Sequence, residues 1–120
     1  MTRSADEFRQ RTKLFALRVV RLTESLPECS RAADVIGKQL LRSATSVGAN
    51  YRAACRARSP AEFRAKLGIV EEEADESIYW MELLVGAGFV KEDLIAGLLE
   101  ECRQILAMIV ASIRTSRNSN

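Results

Sequence analysis

The residues best suited to chemistry fall in rows at helical spacing. Arg31, Lys38, Arg42, Thr45, Ala49, Arg52 and Arg56 share one helix face, so that face carries five cations and no acid. A row of this kind holds fixed positive charge about every 5 to 6 Å, the arrangement that phosphate recognition needs. Arg9, Lys13 and Arg21 of the preceding segment widen the patch. Beside the row lie Gln39, Ser43, Ser46 and Asn50, neutral polar groups whose expected hydrogen-bond partners are Glu73 and Glu76. The third row is acidic, Glu72-Glu73-Ala74-Asp75-Glu76, with carboxylates one turn apart as a nucleotide-bound Mg²⁺ prefers.

Four helices are predicted to carry these rows, over about 5–25, 31–56, 60–86 and 92–114, within one domain spanning 1–120. Ser4-Ala5-Asp6-Glu7 has the capping-box form, and Leu26-Pro27 ends the first period because the residue before proline is pushed out of the helical region. Ser30 or Asp34 caps the second helix. Ser59-Pro60-Ala61-Glu62 is the strongest boundary, with a capping serine, proline at the first helical position and glutamate at the third. Gly86-Ala87-Gly88 offers a left-handed stop, and Thr115–Asn120 is expected to fray.

Apolar residues in steps of three and four form a seam on each helix. The seams are Phe8, Thr12, Phe15, Val19, Leu22 and Leu26, then Ala33, Ile36, Leu40, Ala44, Val47, Tyr51 and Ala54. They continue with Phe63, Leu67, Val70, Ala74, Ile78, Met81 and Val85, and with Leu94, Leu98, Cys102, Ile105, Ile109 and Ser112. Narrow seams and short connections predict an all-α, antiparallel up-down-up-down four-helix bundle. Second apolar stripes remain: Leu14, Leu17 and Val20 on the first helix, Ile69, Trp80 and Leu83 on the third, and Ile95, Leu99, Leu106, Val110 and Ile113 on the fourth. Three such stripes predict a homo-oligomer, with Leu14, Leu17, Ile69, Trp80 and Leu83 at its interface.

Composition narrows the function classes. The 120 residues include no histidine, which removes His-ligated zinc, Ser-His-Asp triads and Glu-x-x-His di-iron sites. Cys29, Cys55 and Cys102 form no Cys-x-x-Cys pair and are expected as buried thiols in a reducing cytoplasm. Neither a signal peptide nor a membrane span is expected. The net charge of +2 conceals a division. Residues 1–58 hold 12 basic against 5 acidic side chains, a net of +7, whereas residues 59–120 hold 6 against 11, a net of −5. Such asymmetry fits a polyanion-binding face or surfaces that meet in an oligomer.

Leu41-Arg42-Ser43-Ala44-Thr45-Ser46-Val47-Gly48-Ala49-Asn50 resembles the hallmark of the bacterial four helix bundle proteins, also called the ribosomal RNA intervening-sequence protein family. The similarity continues through Arg58-Ser59, Glu62-Phe63, Glu76-Ser77 and Tyr79-Trp80-Met81-Glu82-Leu83. It implies a ring-shaped homopentamer around a central channel. It also implies distant kinship to the accessory protein of diversity-generating retroelements, which works with a reverse transcriptase and binds nucleic acid. The chain departs from the family at Tyr51-Arg52-Ala53-Ala54, where many members have an acidic residue and then glycine. The acidic row resembles the first half of the metal motif of all-helical nucleotide pyrophosphohydrolases. The second half, Glu-x-x-Asp on the next helix, is absent, since Glu92-Asp93 and Glu100-Glu101 have the wrong spacing.

The sequence therefore predicts a cytoplasmic, non-catalytic, homo-oligomeric binding module with no cofactor and no metal. Lys38, Arg42, Arg52, Arg56 and Arg31 are its candidate contacts to RNA or DNA. The alternative is a protein-protein scaffold whose basic face meets an acidic partner, and a nucleotide pyrophosphohydrolase-like enzyme comes third.

Overall fold

In the computed structural model, which describes residues 3–119, four helices account for almost the whole chain: α1 (Arg3–Glu24), α2 (Arg31–Ala54), α3 (Pro60–Gly86) and α4 (Glu92–Asn118). Their ends follow local chemistry. Ser30 caps α2, its hydroxyl accepting from the Ala33 amide at 3.1 Å. Ser59 caps α3, accepting from the Glu62 amide at 3.0 Å, while the Glu62 carboxylate accepts from the Arg58 amide at 2.9 Å. At the other end of α3, Gly88 takes φ +82°, and the Phe89 amide reaches back to the Leu84 carbonyl at 3.0 Å. That left-handed turn satisfies a terminal carbonyl where a β-carbon would be strained.

Three expected ends move. α1 already includes Arg3, so Ser4 lies within the helix, and Glu7 pairs with Arg3 rather than closing a capping box. α2 stops at Ala54, two residues early, where the Cys55 amide closes on the Tyr51 carbonyl. α4 continues through the polar stretch expected to fray, because Arg64 of α3 donates to the carbonyl and hydroxyl of Ser116 at 3.4 and 3.2 Å. Asn120 lies outside the described residues.

The helices enclose one hydrophobic core, in a body 51 × 22 × 21 Å. α1 and α3 each pack on α2 and on α4 but not on one another, which puts α1 and α3 on opposite sides of the bundle. The α2–α3 interface is the most extensive and the α1–α4 interface the thinnest. Gly48 brings α2 close to α1, since a β-carbon there would stand 3.4 Å from Thr12 Oγ1 and 3.7 Å from the Thr12 backbone. Phe8 and Tyr51 meet edge to face with ring centroids 4.6 Å apart. Arg11 closes the α1–α4 side with a two-pronged grip on Glu101, at 2.7 and 2.8 Å, and a bond to Gln104 at 2.6 Å. The Glu101 bond holds the Arg11 guanidinium above its ordinary pKa against the opposing effect of burial.

The seam of α4 keeps Leu98, Cys102, Ile105 and Ile109 in the core and shifts by one residue at its two ends. Leu94 and Ser112 are exposed, and Ile95, Leu99 and Ile113, assigned to a second stripe, belong to the core. On α3, Ser77 and Leu84 are fully buried, while Phe63, Ile78 and Val85 sit at the core margin. Only Cys102 of the three thiols is buried; Cys29 is exposed and Cys55 half-buried.

Candidate functional site

All seven positions of the α2 row are exposed, but their charges are not equally available. Lys38 pairs with Asp34 one turn earlier, at 3.0 Å. Arg42 reaches across to α3, bonding Glu73 Oε2 at 3.0 Å and Glu76, while its Nε donates to Gln39 at 3.2 Å. Its pKa rises above the ordinary arginine value, chiefly through the Glu76 hydrogen bond and against desolvation. Among the described residues, Arg31, Arg52 and Arg56 make no ion pair. The two central candidates, Lys38 and Arg42, are therefore tied within the chain, and the free cations lie toward the ends of α2. Arg9, expected to widen the patch, is paired with Asp6; Lys13 and Arg21 are exposed.

The polar row divides three ways. Gln39 accepts from Arg42, which itself bonds Glu73 and Glu76. Ser43 bonds Ser77 across the α2–α3 interface at 2.8 Å, and both are fully buried, so Ser77 rather than a glutamate is its partner. Asn50 donates to the Ser46 hydroxyl at 2.8 Å within α2. The sequence carried a signal for Ser77: Val70, Ala74, Ser77 and Met81 keep steps of four, three and four. Glu73 and Glu76 face a guanidinium instead of a shared cation site. Among the described residues, no group of three or more His, Cys, Asp or Glu side chains is placed to hold a metal.

The structure adds aromatic groups that the sequence reading placed only in the core. Phe8, Tyr51 and Phe63 converge with Arg58 on a cleft of about 780 Å³, at the end of α2 that carries Arg52 and Arg56. Burial, then the neighbouring Cys55, pushes the Tyr51 hydroxyl up to about 12. Cys102, which donates to the Ala74 carbonyl at 3.3 Å, is pushed up to about 12 by desolvation and is a packing residue.

The expected interface residues separate as well. Leu14 and Leu17 are 59% and 41% exposed and Ile69 is 39% exposed. Trp80 and Leu83 are half-buried, Trp80 packing on the core margin with its indole N–H shielded from solvent and without an acceptor among the described residues. No helix among the described residues is long and apolar enough to cross a membrane.

Fold and surface together describe an all-helical domain with a basic edge on its second helix. The sequence profile of the family described as 23S rRNA-intervening sequence protein matches residues 6–111, and the chain belongs to that family. It is similar to a crystal structure from Bacteroides thetaiotaomicron, described as a protein with unknown function from the S23 ribosomal protein family. The identity is 33% and the TM-score 0.85, with 92% of this chain and 98% of that chain covered. None of the curated proteins matches.

Proposed function

We propose that the chain is a non-catalytic, homo-oligomeric bundle that binds nucleic-acid phosphates, RNA in the first place, through the C-terminal end of α2. The observation that carries this reading is the pair Arg52 and Arg56. They are exposed, Arg52 in the last turn of α2 and Arg56 in the turn that follows it, and neither has a carboxylate partner among the described residues, whereas Arg42 and Lys38 are neutralised nearby. Unpaired cations release counterions on meeting phosphate; paired ones must first give up a carboxylate. A basic scaffold face meeting a neighbour's acidic α3 is disfavoured, because Arg42 of the same chain already engages Glu73 and Glu76.

Filter binding of RNA across a salt series tests the reading. RNA is retained at low salt, and the double variant Arg52→Glu plus Arg56→Glu is not retained; equal retention of both ends it. Affinity capture with and without nuclease separates the scaffold, which would keep its partner after digestion. Incubation with nucleoside triphosphates and Mg²⁺ releases no pyrophosphate.

The assembly part of the reading rests on the two apolar faces. Leu14, Leu17 and Val20 on α1 lie on the opposite side of the bundle from Ile69 on α3. Opposed, unlike faces suit head-to-tail contacts that close into a ring, rather than a twofold dimer. Contacts that pair Phe8 with Tyr51, Leu26 with the Gly37 region and Arg64 with Ser116 support an up-down-up-down course of the helices within each copy. Five copies of the 13.4 kDa chain is the number the family resemblance implies. Light scattering is expected to give that multiple for the native chain and a smaller particle for Leu14→Glu plus Leu17→Glu.

A further inference from the structure

The cleft at the foot of the basic row has the makings of a base pocket. It lies where the start of α1, the end of α2, the start of α3 and the end of α4 come together, and its volume of about 780 Å³ is within the usual range for ligand clefts. Phe8 and Tyr51, packed edge to face and nearly buried, form an apolar floor, and half-buried Phe63 presents a ring at the wall. Arg58 is the lining cation, and no carboxylate-bearing residue lines the cleft.

Two hydroxyls supply complementary hydrogen bonding. Ser112 spends its proton on the Met108 carbonyl at 2.9 Å, leaving its oxygen to accept. Ser116 accepts from Arg64 at 3.2 Å, leaving its proton to donate. One donor and one acceptor beside an aromatic wall suit a planar heterocycle whose edge carries both. The capping groups of α3 are already satisfied by Ser59 and Glu62, so the anion contact falls to the Arg58 guanidinium.

Chain connectivity ties this cleft to the free cations. Arg52 directly follows Tyr51, and Arg56 stands between Cys55 and Ala57, all three flanking residues being part of the lining. Arg52 and Arg56 thus neighbour the lining in the chain without belonging to it, close enough for one strand held on them to reach the cleft. Stacked, paired bases cannot enter it; an unpaired base can.

We propose that the cleft seats one unpaired base of a bound RNA strand, stacked against Phe63 and with its adjacent phosphate on Arg58. The proposal rests on the phosphate-binding reading above. It assigns a preference for single-stranded over double-stranded RNA that a row of arginines alone does not create.

The test is fluorescence anisotropy with a labelled single-stranded RNA dodecamer, the same sequence as a duplex, and a single strand with abasic sites throughout. The proteins are the full chain, Phe63→Ala and Ser112→Phe, which fills the cleft from an exposed position; circular dichroism confirms their folding. The full chain is expected to prefer the base-bearing single strand over both other probes by about tenfold, a typical value of one stacked base. Each variant loses that preference while duplex binding and the salt slope stay unchanged. If both variants fold and keep the full single-strand affinity, the base pocket is overturned and phosphate binding at Arg52 and Arg56 stands. If the native chain binds none of the three probes, the phosphate reading fails, and the pocket with it.

Discussion

The middle of α2 and its C-terminal end carry the same kind of residue under different constraints. At the middle, Arg42 faces the acidic stretch of α3 and spends its guanidinium on Glu73 and Glu76, with Lys38 held by Asp34. At the end, Arg52, Arg56 and Arg58 make no ion pair among the described residues, and the one carboxylate in the first turns of α3, Glu62, is spent on the Arg58 amide. Of the middle cations Arg42 joins α2 to α3 and Lys38 is tied within α2; the end cations remain available for a ligand. An arginine's role here depends on what the packed neighbour presents, so a count of cations along a helix overstates its binding surface.

That contrast can be broken most directly by charge reversal at the end. Arg52→Glu plus Arg56→Glu is expected to weaken RNA binding by about a hundredfold, since a charge-assisted hydrogen bond contributes roughly 1.5–3 kcal/mol. The salt slope should fall by about 1.4, two single-strand phosphate contacts' worth. Filter binding reads both, and a loss no greater than that of Arg42→Glu would remove the distinction between the two regions.

Tyr51 at the binding end gives a pH signature. Its hydroxyl ionises near 10.0 when unfolded and near 12 when folded, so the unfolded chain binds fewer protons in between and stability falls as pH rises through that window. Cys102 acts in the same direction from about 9.0 upward. Between pH 9 and pH 12 the unfolding equilibrium constant of Tyr51→Phe should rise about tenfold less than that of the native chain, with allowance for partial exposure of the ring. Urea titrations at the two pH values measure it.

The remaining effects are smaller and sharpen the comparison from the middle. Glu73→Gln plus Glu76→Gln frees Arg42 and should tighten RNA binding about fivefold, raising the salt slope by about 0.7. Unchanged affinity would mean that the middle of α2 lies outside the RNA path even with its charge released. Arg42→Ala should lower unfolding free energy in urea by less than about 1 kcal/mol, less again in high salt, because half-exposed ion pairs are screened. RNA affinity should stay within about twofold.

How far the molecule could be read from its sequence varies by region. The start of α3 was plain, because Ser59, Pro60 and Glu62 each favour a helix start for a separate local reason, and all three act at that boundary. The seam of α4 was not, because Leu94, Ile95, Leu98 and Leu99 put apolar groups on adjacent faces, and periodicity cannot choose between faces that are both apolar. Packing selects Ile95 and leaves Leu94 77% exposed. The basic row was legible as a face; the pairing of Arg42 was not, because its partners lie more than 30 positions away on another helix.

Local chemistry by itself determined the four helices, most of their ends and the row of cations on α2, since caps, proline, glycine and three-four spacing act within a few residues. Only the tertiary structure decided which cations are free, that Ser77 completes the buried pair with Ser43, and that Phe8, Tyr51 and Phe63 meet beside Arg58. Those outcomes depend on which distant side chains are brought within a few ångströms. At that range Coulomb attraction, hydrogen bonding and exclusion of water act, and helical spacing within one segment cannot specify them.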